Sequence, residues 1–512
     1  MKLFSGVFRS TFLFIFLAEL LSLFGYLVSD FNPICFVIIS VLVLILTVTK
    51  LEYGLAILFA ELFIGSKGYL FFYTFGDTAI SIRIAIWLIV MSVWLVKIIM
   101  SLFGKYNYSL IPLFKNDFFK YFFVLFLFIA WGVVNGFMEN NSFSDIFFDF
   151  NGWLYFALIL PIFTVILNRS HGEENLTTMI LQVFSASVIW LSLETIFLLF
   201  VFSHNIAAVS EGLYKWIRIT GAGEITRMDA GFYRIFFQSH IYILIAFFVF
   251  SLLMIKKYQE KKQKEFFVYY ILTILFCSVI LIGLSRSNWV GLAVGVLLCA
   301  FVLIYLYNWK KTFIASMIVL STAIYSVGFM VAIVKFPYPA VNGNFDVSSV
   351  LSERASQISG EAGASSRWSL LPELWREISE RPMLGKGFGS TVTYKTNDPR
   401  ILEQSADGKF TTYAFEWGWL DIWLKISIFG AISYLLLLMG IILKSTQEIQ
   451  DIYSTKKITE LGLLIGLVSI AAVSFFSPYL NHPLGIGYLI LVCAITLNNT
   501  HRESNENSLQ KK

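Results

Sequence analysis

The chain alternates long apolar runs with short polar connections. About fourteen runs lie near 10–28, 33–49, 53–65, 79–100, 118–136, 152–168, 177–203, 237–255, 266–284, 288–307, 312–334, 414–443, 458–477 and 485–498. Most hold roughly 18 to 25 residues, enough for a helix to cross a hydrocarbon core about 30 Å thick. In lipid only helices or closed barrels satisfy every backbone group. Period-two alternation is absent, so the pattern predicts helices. The fold class is therefore all-α, a polytopic integral membrane protein of about 12–14 transmembrane helices. The run at 53–65 is short enough to be tilted or re-entrant, which leaves the count open by one or two.

Composition agrees: 57% of the residues are hydrophobic and 14% charged, against about 25% charged in soluble domains. Lys2 and Arg9 precede the first run without a small-residue cleavage site, which reads as a retained span. Cytoplasmic loops carry excess Lys and Arg. Lys256, Lys257, Lys261, Lys262 and Lys264 share one connection, and Lys310, Lys311, Lys444, Lys456 and Lys457 fall in others of the same parity. That parity puts both termini in the cytoplasm. The chain then divides into N-terminal transmembrane helices (1–203), a first outer loop (204–236), further transmembrane helices (237–334), a large outer loop (335–411), C-terminal transmembrane helices (412–498) and a polar tail (499–512), expected to be unstructured. Four cysteines lie in apolar runs without a CxxC pair and read as small buried hydrophobes.

The outer loops hold arginines where the positive-inside trend predicts few: Arg218, Arg227 and Arg234 in the first, Arg367, Arg376 and Arg381 in the second. In the large loop, Trp368, Leu371, Trp375 and Ile378 recur at helical spacing, so 365–381 should form an amphipathic helix on the membrane surface. Pro382 ends it, and Gly385-x-Gly387-x-Gly389 reads as a turn. The loop has the length and glycines of a lid, least ordered at 340–364 and 396–410. Ser285-Arg286-Ser287 joins two apolar runs at the outer face. Arg286 has two readings: a guanidinium snorkelling to headgroups, or one fixed at the rim to bind a phosphate through paired donors. Glu416 stands where the large loop re-enters the membrane, flanked by Phe415, Trp417 and Trp419, and reads as a hydrated interfacial carboxylate or a general base. Asp421 and Lys425 are spaced for an intrahelical pair. The five histidines, His171, His204, His240, His482 and His501, lack metal-ligand spacing, and no metal site is read. His240 follows Arg234 at the lip of a span.

In order and placement these features resemble the O-antigen polymerase and O-antigen ligase family of bacterial polytopic membrane glycosyltransferases. The resemblance rests on Gly231-Phe-Tyr-Arg234, Ser285-Arg286-Ser287 with Gly291, Arg367-x-x-x-Leu371, Arg376 to Gly387 with ten residues between, Pro382-x-Leu-Gly-x-Gly-x-Gly, and Glu416-x-Gly-x-Leu420 followed by Ile428-Phe-Gly430. It covers roughly 200–440; the N-terminal spans match only in hydropathy. It implies a metal-independent glycosyltransferase with no cofactor, in the bacterial inner (cytoplasmic) membrane, with the large loop periplasmic. The implied reaction is polymerisation of undecaprenyl-diphosphate-linked oligosaccharide repeats into a surface polysaccharide such as O-antigen, capsule or exopolysaccharide. The implied partners are that lipid-linked oligosaccharide and membrane lipid, with a chain-length regulator protein left open and no nucleic acid. Ligases of the family usually carry a histidine where the large loop re-enters the membrane. Here Glu416-Trp417 occupies that position and no histidine lies between 241 and 481, which favours a polymerase over a ligase acting on an acceptor lipid or protein. A lipid-linked oligosaccharide flippase or transporter would also have 12–14 spans, but should show two related halves, and no internal repeat is visible.

On this reading Arg286, Arg367 and Glu416 are catalytic. Arg234, Arg286, Arg367, Arg376, Gly387 and His240 bind the diphosphate or glycan, and Arg234, Arg286 and Arg367 converge on one cavity. Partial burial among its aromatic neighbours would raise the Glu416 carboxyl into a range useful for proton transfer.

Overall fold

The structure is a computed structural model. It describes residues 3–510 except 29, 77, 106–107, 169–174, 205, 229–230, 307–308, 340–361, 397–398, 404, 406 and 448–453. Its main helices are α1 (Gly6–Leu27), α2 (Phe31–Thr49), α3 (Leu51–Ile64), α4 (Ile82–Leu102), α5 (Asp117–Met138), α6 (Phe143–Phe150), α7 (Ile159–Leu167), α8 (Leu176–Ser203), α9 (Ala207–Ile219), α10 (His240–Gln259), α11 (Gln263–Gly283), α12 (Arg286–Leu306), α13 (Trp309–Val334), α14 (Ala362–Glu380), α15 (Gly418–Gln447), α16 (Thr455–Val473) and α17 (Pro483–Gln510). Among the described residues eleven helical segments are long and apolar enough to cross a membrane, with α6 and α7 forming one through a 3-10 turn. The chain is thus an all-α, multi-pass membrane protein. The third apolar run is the short one, as its length predicts: α3 has 14 residues. The tail expected to be unstructured instead continues α17 to Gln510.

Helix α10 is the hub. It is apolar on every face and 94% of its span is buried, as expected of a helix enclosed by others. It packs between α11 and α16. Small residues allow such close contact in lipid, where van der Waals packing drives association. A Cβ at Gly462 of α16 would sit 2.6 Å from Val249 Cα of α10.

Three antiparallel hairpins lie in the connections of one end: β1 (Phe72–Phe75) with β2 (Thr78–Ser81), β3 (Gly223–Arg227) with β4 (Tyr233–Phe237), and β5 (Val392–Lys395) with β6 (Lys409–Thr412). The sequence pattern predicts none of them. Each strand has only four or five residues, too few for a legible alternation, and simply pairs the backbone of a loop with itself. Helices α9 and α14 belong to the same end. Helix α14 covers the amphipathic stretch expected at 365–381, and its Leu370, Leu374 and Ile378 form a small core with Phe415 and Leu424.

The segment after α14 differs most from expectation. Gly385, Gly387 and Gly389 all have positive φ, between 72° and 76°, yet they do not form a free turn. The loop runs into the bundle and is bonded along its backbone to α5 and α15. Asn135 Nδ2 donates to the carbonyls of Leu384 and Gly385, and Asn141 Nδ2 to those of Lys386 and Phe388. Phe388 N–H donates to Gly132 O at 2.9 Å, and Lys386 N–H to Leu424 O at 2.7 Å. The last bond falls where α15 breaks: Ile426 and Ser427 leave helical geometry, with Ser427 at φ 73°. A broken membrane helix exposes carbonyls that need new donors, and the loop backbone supplies one. Gly387 is therefore a packing residue. A Cβ there would lie 2.1 Å from Gly136 N of α5.

Beneath the loop, Lys425 is 2% exposed and pairs with Asp421 at 2.6 Å, the expected intrahelical pair, and also with Asp149 at 2.5 Å. Asp149 accepts Gly389 N–H at 2.9 Å, tying the glycine loop to this node. The stretch 340–364, expected to be least ordered, lies mostly outside the described residues.

Candidate functional site

Where the β3–β4 hairpin and α14 come together, a cavity of about 650 Å³ opens, within the range of small-molecule sites. Arg234, Arg286, Arg367 and Glu416 all line it, although the first and last are 182 positions apart. Strand β4 carries Arg234, the α11–α12 turn carries Arg286, and the first turns of α14 carry Arg367. Three groups not predicted for the site join them: Lys67 from the α3–β1 turn, Arg218 from the end of α9, and His482 just before α17. Glu224 of β3 is the second carboxylate. Five cationic side chains thus face two carboxylates, an excess of three positive charges around one opening.

Arg218, Arg234 and Arg367 are held by their neighbours. Arg234 donates through Nε to Gly283 O at 3.0 Å, and its guanidinium lies 5.0 Å from the centre of the Phe236 ring. Glu224 bridges Arg234 at 3.9 Å and Arg218 at 3.7 Å. Arg286 opens α12 directly after Leu284, a non-glycine residue at φ 43°, and Ser285. The hydroxyls of Ser285, Ser287 and Ser477 run beside it in a chain with spacings of 3.2 and 3.0 Å. Such positive-φ residues cost free energy and persist where the surrounding structure over-determines them. Arg367 forms an ion pair through Nε with Glu416, and its carbonyl accepts the Trp417 indole N–H at 3.0 Å. Trp368 stacks edge-on against Trp417, with ring centres 5.4 Å apart.

His482 is the imidazole of the cavity. Burial first, then Arg83 and Lys67, push its pKa down to about 3, so it is neutral at pH 7. Nδ1 accepts Leu484 N–H at 3.4 Å, which assigns the ring hydrogen to Nε2 and makes that atom a donor.

Three predicted binding residues lie elsewhere. His240 is 2% exposed, and both ring nitrogens are engaged within the protein: Nδ1 accepts Phe237 N–H and Nε2 lies 3.0 Å from Thr195 Oγ1. It locks β4 onto α8 and does not line the cavity. Arg376 points away on the exposed face of α14, paired with Glu373 at 2.7 Å and Glu377 at 3.4 Å. Gly387 serves the loop–helix junction described above. The expected burial of Glu416 among aromatic rings is also absent, because its side chain is 47% exposed. Phe415 instead lies under the Lys425 ammonium, and Trp419 packs on Phe475 and Tyr434. His171 lies outside the described residues. Among the described residues no group of three or more His, Cys, Asp or Glu side chains could hold a metal ion.

Two of the missed residues had a signal in the sequence: Arg218 as one of the outer-loop arginines, and Lys67 by its position. Lys67 sits between Gly65 and Gly68 at the end of a span that the charge pattern predicts to face outward, the same exception to the positive-inside trend that singles out the arginines. His482 had none, being one scattered histidine until the fold brings 477–482 beside Arg286.

No family model, curated protein or solved structure matches this chain.

Proposed function

We propose that this chain is a glycosyltransferase of the bacterial cytoplasmic membrane that polymerises undecaprenyl-diphosphate-linked oligosaccharide repeats into a surface polysaccharide. The observation that carries this reading is the convergence of Arg234, Arg286 and Arg367 on one cavity with Glu416. A diphosphate diester carries two negative charges, and the cavity offers three positive ones in excess. Guanidinium groups suit it because their planar donors bind two oxygens at once.

In this mechanism Arg234 and Arg286 hold the diphosphate of the donor. Arg367 exchanges Glu416 for a phosphate oxygen, which frees the carboxylate. A hydroxyl of the acceptor glycan attacks the donor's anomeric carbon. The new C–O bond forms as the bond from that carbon to the phosphate oxygen breaks, through an oxocarbenium-like transition state. The diphosphate leaves with the electron pair, and the hydroxyl proton passes to Glu416. Charge grows on the departing diphosphate, so arginines fixed around it stabilise the transition state more than the ground state.

The test is gel analysis of surface glycan from a deletion strain complemented with wild type, Arg286→Lys or Arg367→Lys. The expected result is a single-repeat product in the deletion and in both variants. Polymer stranded on carrier lipid would instead indicate a ligase. Full-length polymer in both variants would refute the role given to the arginines.

A further inference from the structure

The turn from α3 to β1, Gly65-Ser66-Lys67-Gly68, is built with unusual care for a loop. Ser66 is fully buried and holds φ 47°, a left-handed conformation that a non-glycine residue rarely adopts. Its conformation is fixed from three directions. Ser66 N–H donates to Ser239 Oγ at 3.0 Å, and Ser239 N–H donates back to Ser66 Oγ at 3.3 Å. The Ser66 carbonyl accepts Arg83 Nη1–H at 2.7 Å. Arg83 is itself held by Glu61 through two bonds, Nε to Oε2 at 2.8 Å and Nη2 to Oε1 at 3.0 Å. Gly68, at φ 90°, completes the turn; a Cβ there would lie 2.8 Å from Arg83 Cβ.

The turn carries one exposed side chain, Lys67. Lys67 leaves the turn with its alkyl stem across Gly221, whose added Cβ would meet Lys67 Cδ at 3.0 Å. Its ammonium reaches the cavity of the arginines, close enough to His482 to depress that ring's pKa. A strained, buried turn that presents a lone lysine to a cationic cavity is hard to account for by packing alone. It places a positive charge among other positive charges, an arrangement that favours an anionic ligand.

We propose that Lys67 is a direct ligand of the donor diphosphate, and that the Glu61–Arg83 pair is the positioning device that aims it through the Ser66 carbonyl. The inference rests on the diphosphate reading of the cavity. It adds a fourth anchoring cation from the N-terminal half, outside the region that resembles known polymerases.

The experiment measures dissociation constants for geranyl diphosphate, geranyl monophosphate and inorganic diphosphate with the full-length protein in detergent. Wild type should prefer geranyl diphosphate to both others. Lys67→Gln should weaken geranyl diphosphate binding on the order of ten- to a hundredfold, as expected for a charge-assisted hydrogen bond, at an unchanged thermal midpoint. Lys67→Arg should recover part of the loss. Arg83→Lys keeps the charge opposite Glu61 but cannot also reach Ser66, so it should narrow the diphosphate-over-monophosphate preference, which a purely structural role would leave unchanged. Wild-type affinity in Lys67→Gln, with wild type binding geranyl diphosphate, overturns this inference alone. Failure of wild type to bind geranyl diphosphate overturns the reading of the whole cavity. Equal affinity for inorganic diphosphate overturns a lipid-linked ligand.

Discussion

Replacing Gly387 with alanine tests the glycine loop without any assumption about catalysis. Two costs add at this position. The residue holds φ 76°, and a Cβ in the left-handed region costs about 1–2 kcal/mol. The new methyl would also lie 2.1 Å from Gly136 N and 2.5 Å from Gly136 Cα. Those are backbone atoms of α5, held in a helix, so the loop must withdraw. Overpacking of this kind costs about 1–3 kcal/mol, and withdrawal would also strain the bonds from Asn135 and Asn141. The total is about 2–5 kcal/mol. Gly76 is the matched control: it has φ 58° and no atom within 4 Å of an added Cβ, so Gly76→Ala bears the conformational cost alone. Thermal midpoints in detergent, read by fluorescence-detected size exclusion, should fall clearly further for Gly387→Ala than for Gly76→Ala. Equal midpoints would refute the close-packed account and return the loop to a free turn.

Other outcomes follow from the same structure. Arg83→Met leaves the buried Glu61 carboxylate unpaired and should destabilise the protein by about 3–5 kcal/mol, whereas Glu61→Leu with Arg83→Met should recover much of that in the same assay; a larger loss in the double variant would contradict the pairing. Glu416→Gln should slow glycan transfer on the order of a hundredfold if the carboxylate takes the acceptor proton; polymer made at the normal rate would leave Glu416 only as the counter-ion of Arg367. The pKa of His482 is depressed to about 3, so the unfolded chain binds the proton first as pH falls. The stability this contributes is fully present above about 6.5 and is lost progressively from there toward 3. Thermal midpoints should therefore fall less steeply between pH 7 and 4.5 in His482→Gln than in wild type, and parallel curves would contradict the assignment.

The membrane spans were legible because a run of apolar residues long enough to cross lipid has few other uses. The cavity cations were partly legible for a related reason: Arg234, Arg286 and Arg367 oppose the charge asymmetry of the loops. That they meet in one place was expected from the resemblance and from their shared outer placement, not from spacing, since the segments joining them are largely apolar helices that carry no register information. The pattern of the glycine loop serves two purposes. Gly385, Gly387 and Gly389 suit a flexible turn and a close backbone approach equally well. The partner that decides between them, the Gly132, Asn135 and Gly136 face of α5, looks like an ordinary stretch of a span until the two segments are side by side. Arg376 and His240 carried the right chemistry near the right motifs, but a half-turn of helix and a buried threonine partner direct them elsewhere.

Polymerisation is tested by transfer in a purified system. Lipid-linked repeat units extracted from the deletion strain would be mixed with the full-length protein in proteoliposomes, without nucleotide sugar. The expected result is a ladder of lengthened glycan and matching release of undecaprenyl diphosphate, both lost with Arg286→Lys. Movement of intact lipid-linked units across the bilayer with no lengthening would contradict it and identify a transporter instead.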